Sequence, residues 1–174
     1  MKKLNDRGFT LVELIVVVAI LGILSGVMSY SVNQIFSSQA RKFADEYDAL
    51  LTQCRVSTLS GAAAPTYVML CQDSGGTYYG VLYEGGTEVS RKKLGGDNLS
   101  CTFTYGSGTG TTAAISDSQS LCIGYNRSTG AFLTLNSVGS GLNTGLSGNC
   151  TKVCVADKIT ITLVPSTGYH KIGG

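Results

Sequence analysis

The sequence has no tryptophan, two prolines and one histidine in 174 residues. Charged side chains make up 14 % of it, and none occurs between Glu13 and Arg41. Each scarcity excludes something. Any Ser-His-Asp or Cys-His relay must use His170 alone. That residue stands near the C-terminus with no acid beside it in sequence, and it reads as a solvated tail residue. The Asp and Glu residues are scattered and form no paired set for acid–base chemistry. Cys150 and Cys154 have a spacing that zinc accepts, but no second close Cys or His pair completes a site. The Gly-rich stretches Gly106–Thr112 and Ser137–Gly148 match neither a phosphate loop nor a dinucleotide fingerprint, and they read as surface loops. No catalytic residue, metal or cofactor is therefore expected, and the chain does not read as an enzyme.

The net charge of +2 has a location. Lys2, Lys3 and Arg7 oppose Asp6 within residues 1–8, so this leader accounts for all of it. The other 166 residues hold ten basic and ten acidic side chains. A neutral body argues against bulk electrostatic binding to nucleic acid.

After the basic leader come 27 uncharged residues, Leu14 to Ala40. As a helix they exceed the roughly 30 Å of hydrocarbon in a bilayer. A cleaved signal peptide has a shorter apolar core. This segment is expected to stay in the membrane, with the basic leader cytoplasmic. From Val32 the pattern becomes one-sided. Val32, Phe36, Ala40, Phe43, Tyr47, Leu50, Leu51 and Cys54 recur at three- and four-residue steps, with charged and polar residues between them. That is an amphipathic helix with one face for a globular partner. No breaker separates the two stretches, so one helix of about 50 residues, roughly 75 Å long, is expected to end near Gly61.

Beyond Pro65 strand signals begin, at Thr66–Gln72, Thr77–Tyr83, Thr87–Leu94, Leu99–Tyr105, Leu121–Tyr125, Ala131–Leu135, Lys152–Ala156 and Lys158–Val164. In the last, Ile159, Ile161 and Leu163 alternate with Thr160, Thr162 and Val164. Arg91-Lys92-Lys93 reads as a solvated hairpin edge, where lysine discourages edge pairing. The fold class is α+β: a long N-terminal helix packed on an antiparallel sheet head. Six cysteines, Cys54, Cys71, Cys101, Cys122, Cys150 and Cys154, favour disulfides in an exported head. Proximity in sequence offers Cys54 with Cys71, Cys101 with Cys122, and Cys150 with Cys154, and leaves the connectivity open.

One motif is sharper than these patterns. Basic residues run into Gly8, then Phe9-Thr10-Leu11-Val12-Glu13, then the apolar run. This resembles the class III leader of type IV pilins and pseudopilins. The resemblance covers residues 1 to about 30. It implies that a prepilin peptidase cuts between Gly8 and Phe9 and methylates the new N-terminus on Phe9. It implies that Glu13, fifth in the mature chain, neutralises the terminal amine of a neighbouring subunit in a filament. Two opposite charges tolerate low dielectric far better together than alone. The implied fold is type IV pilin-like. Its parts are a cleaved leader (1–8), a transmembrane and filament-core helix (9–30), an amphipathic helix on the head (31–61) and a β-rich head (62–174).

Tyr30 stands where many major pilins have proline, which leans toward a minor subunit. More loosely, the order of helix, Ala-rich break, TYVMLCQDSGG and a final KITITLVPSTG resembles the GspH/FimT-like minor pseudopilins. The implied partners are the peptidase, other pilin or pseudopilin subunits, a membrane assembly platform, and lipid before assembly. The implied location is a single-pass membrane protein that later enters an extracellular or periplasmic filament, serving a pilus, type II secretion or DNA uptake. Three alternatives stand beside this: the major pilin, an adhesive tip subunit, and a DNA-binding tip subunit. Some GspH/FimT-like proteins carry Gly-Arg-x-Arg for DNA. Here the matching stretch is Gly168-Tyr169-His170-Lys171, so DNA contact would rest on Tyr169 and Lys171, with Lys152 and Lys158.

Overall fold

The structure, a computed structural model, describes residues 10–61, 65–106, 110–134 and 149–173. The leader with Gly8 and Phe9, and the Ser137–Gly148 stretch, lie outside the described residues. The chain divides into two compact units, Met1–Ile35 and Phe36–Gly174. Helix α1 spans Leu11–Leu59.

In the first unit, α1 begins where Thr10 accepts a hydrogen bond at Oγ1 from the Glu13 N–H (3.2 Å). That satisfies one of the free donors of the first turn and makes Thr10 the N-cap. Leu11–Met28 is long and apolar enough to cross a membrane, and none of it is buried within the chain. The Ser25 hydroxyl donates to the Leu21 carbonyl (2.7 Å), so this polar group needs no water. A Cβ added at Gly22 or Gly26 would meet nothing within 4 Å.

In the second unit, Ala40, Phe43, Ala44, Tyr47, Leu50, Leu51 and Cys54 of α1 are fully buried. Their three- and four-residue spacing makes one continuous apolar stripe. Among the described residues ten strands pack around it, all paired antiparallel: β1 (Thr66–Gln72), β2 (Tyr78–Glu84), β3 (Thr87–Gly95), β4 (Cys101–Tyr105), β5 (Thr111–Ala114), β6 (Leu121–Tyr125), β7 (Phe132–Thr134), β8 (Cys150–Val155), β9 (Ile159–Val164) and β10 (Tyr169–Gly173). They form two sheets, β3-β2-β1-β6-β7 and β10-β9-β8-β4-β5. Val68, Leu70, Leu82 and Ile123 of the first sheet and Phe103, Val153, Ile161 and Leu163 of the second share one core with the helix stripe. Fully burying each such side chain is worth about 1.5–3 kcal/mol before entropy is counted.

The first sheet lies very close to the helix at Gly80 and Gly95. A Cβ on Gly80 would collide with Leu50, and one on Gly95 would come within 2.6 Å of Leu99 and 3.2 Å of Phe43. Strand alternation fixes which side chains face α1, and the glycines let the backbone approach.

The antiparallel head is built from two sheets among the described residues. Two expectations need correction. The stretch expected as a loop at Gly106–Thr112 already contains the start of β5, which pairs with β4 through Thr111 and Thr112. The expected tail around His170 is β10, paired with β9 over its whole length. β5 reads Thr-Thr-Ala-Ala and lacks an apolar alternation, while β10 buries only a histidine and an isoleucine in part. Both draw their order from the neighbouring strand's hydrogen bonds, not from their own pattern.

Candidate functional site

The site residues fall on two places, the start of α1 and the head. At the start of α1, Glu13 is exposed and occupies the first turn. It has no ion-pair partner among the described residues. Thr10-Leu11-Val12-Glu13 has the Thr-x-x-Glu pattern of a capping box, and its Thr10 half is formed, with Oγ1 accepting from the Glu13 N–H. Its carboxylate also sits at the positive end of the helix dipole. The same residue is thus placed by local helix chemistry and left open to a partner from outside the chain.

On the head, β10 has two faces. Tyr169 and Lys171 are exposed on one; His170 and Ile172 turn inward on the other. Lys171 lies opposite Thr162 of β9, which lies opposite Lys152 of β8. The two lysines are therefore in one cross-strand row, two strand spacings apart, or about 9–10 Å. Lys158 lies elsewhere: its Nζ is 3.2 Å from Ser37 Oγ on α1.

His170 is not a solvated tail residue. Its side chain is 9 % exposed, with Nε2 3.3 Å from Asp48 Oδ1 and 3.2 Å from Thr52 Oγ1 of α1. The acid absent from its sequence neighbourhood is supplied by the helix. Nδ1 is buried without a hydrogen-bond partner. A nucleophile relay needs the acid on one ring nitrogen and the hydroxyl on the other. Here both groups meet Nε2, so the cluster has the geometry of a tie between β10 and α1. Arg55 strengthens the tie by donating to the Thr167 carbonyl (3.4 Å).

Cys54, Cys71, Cys101, Cys122 and Cys154 carry no disulfide. None of the three sequence-neighbour pairings fits their placement. Cys54 lies in the core under the sheets, whereas Cys71 alternates with buried Val68 and Leu70 and so points to the opposite face of β1. Cys101 and Cys122 belong to different sheets. Cys150 and Cys154 lie on the same strand, about 13 Å apart at a rise of 3.3 Å per residue, too far for a bridge. A register shift between Thr104 and Tyr105 turns Cys150 into the core while Cys154 stays half-exposed. The register instead brings Cys71 and Cys122 onto one face of neighbouring strands, with Cys122 opposite Met69.

Burial pushes the thiols of Cys54, Cys122 and Cys150 from 9.0 up to about 12. Cys101 is raised for the same reason. A thiol whose folded value is raised keeps its proton while the unfolded chain loses one, so stability is full below pH 9.0 and falls as pH rises toward about 12. The expected result is a melting temperature that is flat to about pH 9 and then drops steeply. Alkaline melting curves check this, and a flat curve through pH 11 counts against buried, protonated thiols.

Among the described residues no group of three or more His, Cys, Asp or Glu side chains could hold a metal ion. A family model described as the prokaryotic N-terminal methylation motif matches residues 3–29. No curated protein and no solved structure matches the chain.

Proposed function

We propose that this chain, whose residues 3–29 match the prokaryotic N-terminal methylation motif carried by class III prepilin leaders, is a minor subunit of a type IV filament. The observation that carries this reading is the matched motif together with an apolar helix that buries none of Leu11–Met28 within its own chain. Such a surface needs lipid first and neighbouring helices later. Prepilin peptidase cleaves between Gly8 and Phe9 and methylates Phe9. Residues 9–30 span the membrane and then pack in the filament core, residues 31–61 carry the head, and residues 62–174 form it outside the cytoplasm. Glu13 neutralises a neighbour's terminal amine. Gly22 and Gly26, one turn apart with open space around them, let a neighbouring helix approach closely.

Intact-mass measurement on sheared filaments tests the processing. Loss of residues 1–8 plus one methyl group is expected, in trace amounts relative to a major subunit. Dominance of the sheared material would make it the major pilin, and a full-length chain confined to membranes would end the filament reading.

A second reading, DNA capture, is favoured by the exposed row Lys171–Thr162–Lys152 beside exposed Tyr169. Phosphates would meet the lysines and a base would stack on the tyrosine. If it holds, Lys171→Gln lowers the salt slope of DNA binding by about one. A gel shift at low salt with no retarded band at high micromolar protein ends it.

A further inference from the structure

Arg91-Lys92-Lys93 has no role in the reading above. Arg91 is accounted for: it makes a two-pronged contact with Glu88 (2.9 and 2.7 Å) and lies over the Tyr79 ring. Lys92 and Lys93 are carried by β3 to the first turns of α1 in the second unit. A hollow of about 570 Å³ lies between them, lined by Arg41, Lys42, Asp45, Glu46 and Lys92. A second, of about 370 Å³, is lined by Lys42, Lys93, Gln39 and Asn98. Asn98 donates to Gln39 (2.8 Å), which holds the β3–β4 connection against the helix. From another direction the turn between β8 and β9 brings Lys158 to Ser37.

Five of the ten cations in Phe36–Gly174 therefore converge from three sequence-distant segments on the helical stretch 37–46. Lys42, Lys92 and Lys93 have no ion-pair partner among the described residues, while Arg41 is 3.4 Å from Asp45. Acids are present too, with Asp157 beside Lys158 in sequence and Asp97 beside Asn98. Along α1, however, the charges are ordered. Arg41 and Lys42 come first, and Asp45, Glu46 and Asp48 follow a turn later. No charge precedes them back to Glu13.

We propose that this basic collar docks on the anionic phospholipid headgroups of the leaflet in which the apolar segment ends, and so holds the unassembled subunit upright at the membrane. The occupant follows from chain continuity and charge. Arg41 and Lys42 are the first charges the chain reaches after the membrane-spanning stretch, and basic residues are attracted to an anionic surface that lies within a Debye length. The proposal rests on the reading of residues 9–30 as a membrane span.

The test uses the full chain in nanodiscs of pure phosphatidylglycerol or pure phosphatidylcholine. A water-soluble acylating reagent labels lysines, and mass spectrometry reads the rate at each one. Labelling of Lys42, Lys92, Lys93 and Lys158 is expected to slow about fivefold in the anionic discs and to recover at high salt. Lys152 and Lys171, in their separate row, serve as internal references and should not change. Equal rates at the collar in both lipids overturn the proposal, as does uniform slowing of all six lysines. Equal protection of the collar by duplex DNA added to the neutral discs also overturns it, in favour of nucleic acid. Failure of the chain to enter discs at all strikes the membrane-span reading instead, and is seen separately as protein missing from the disc fraction.

Discussion

Glu13→Ala is expected to insert in the membrane at least as well as the native chain and to vanish from filaments. The two effects have one cause. On insertion scales a carboxylate at a helix centre costs about 2.5–3.5 kcal/mol, and less near an edge, so its removal does not hinder insertion. In the assembled filament the neighbour's methylated amine would be left without its counter-charge among apolar helices. Breaking one partner from a buried pair costs about 3–5 kcal/mol, a factor of hundreds or more at each subunit contact. The cap does not confound this experiment, because Thr10 Oγ1 bonds the backbone N–H of residue 13, which alanine retains. Thr10→Ala is the complementary control. It removes the cap, at about 1 kcal/mol, and keeps the carboxylate. Immunoblots of sheared and membrane fractions read both variants. Normal filament levels of Glu13→Ala would sink the charge-pairing idea, and a matching loss in Thr10→Ala alone would shift the role of the motif to helix initiation.

The long helix was legible in the sequence, and much of the head was not. The helix stripe from Ala40 to Cys54 is a strong periodic signal because the same side chains that set the period do the packing. β1 and β6 were legible at their full length for the same reason: each is apolar and bounded by turn residues. β5 and β10 were not, since neither carries enough apolar surface to announce itself. The division into two sheets was also hidden. It depends on β6 returning beside β1 while β8 returns beside β4, and long-range pairing leaves no mark in a local pattern. His170 shows the same limit most plainly. Its partner Asp48 lies at the other end of the chain, and only the pairing of β10 with β9 brings them together. The basic collar is a further case, assembled from three segments of which only Arg91-Lys92-Lys93 stood out as a run. The cysteines misled because proximity in sequence says nothing about faces. A single register shift in β8 is enough to turn Cys150 inward and leave Cys154 outward.

The second large effect is expected at Gly168, where the two sheets meet through their turns. Its φ is +65°, a conformation that costs a residue with a side chain about 1 kcal/mol. A Cβ there would also collide with the Gly130 carbonyl oxygen and lie 3.2 Å from the Tyr125 ring. Backbone cannot give way as a flexible side chain does, so Gly168→Ala must push the β9–β10 turn off the β6–β7 turn. The groups that would separate include the Phe132 N–H and the Pro165 carbonyl, now 2.9 Å apart. The His170 tie to Asp48 and Thr52 lies on the strand that follows directly and would loosen with it. Losing one buried hydrogen bond and opening the core at Phe132 adds about 2–3 kcal/mol to the backbone strain, so a total near 3–4 kcal/mol is expected. Gly86→Ala separates the two causes. Gly86 has φ +81° and nothing within 4 Å of an added Cβ, so it carries the strain without the collision and should cost only about 1 kcal/mol. Thermal unfolding of the full chain in detergent compares them. A Gly168→Ala melting temperature no lower than that of Gly86→Ala would mean that the two turns are not in contact, and that β10 is held by its pairing with β9 and the His170 tie without them.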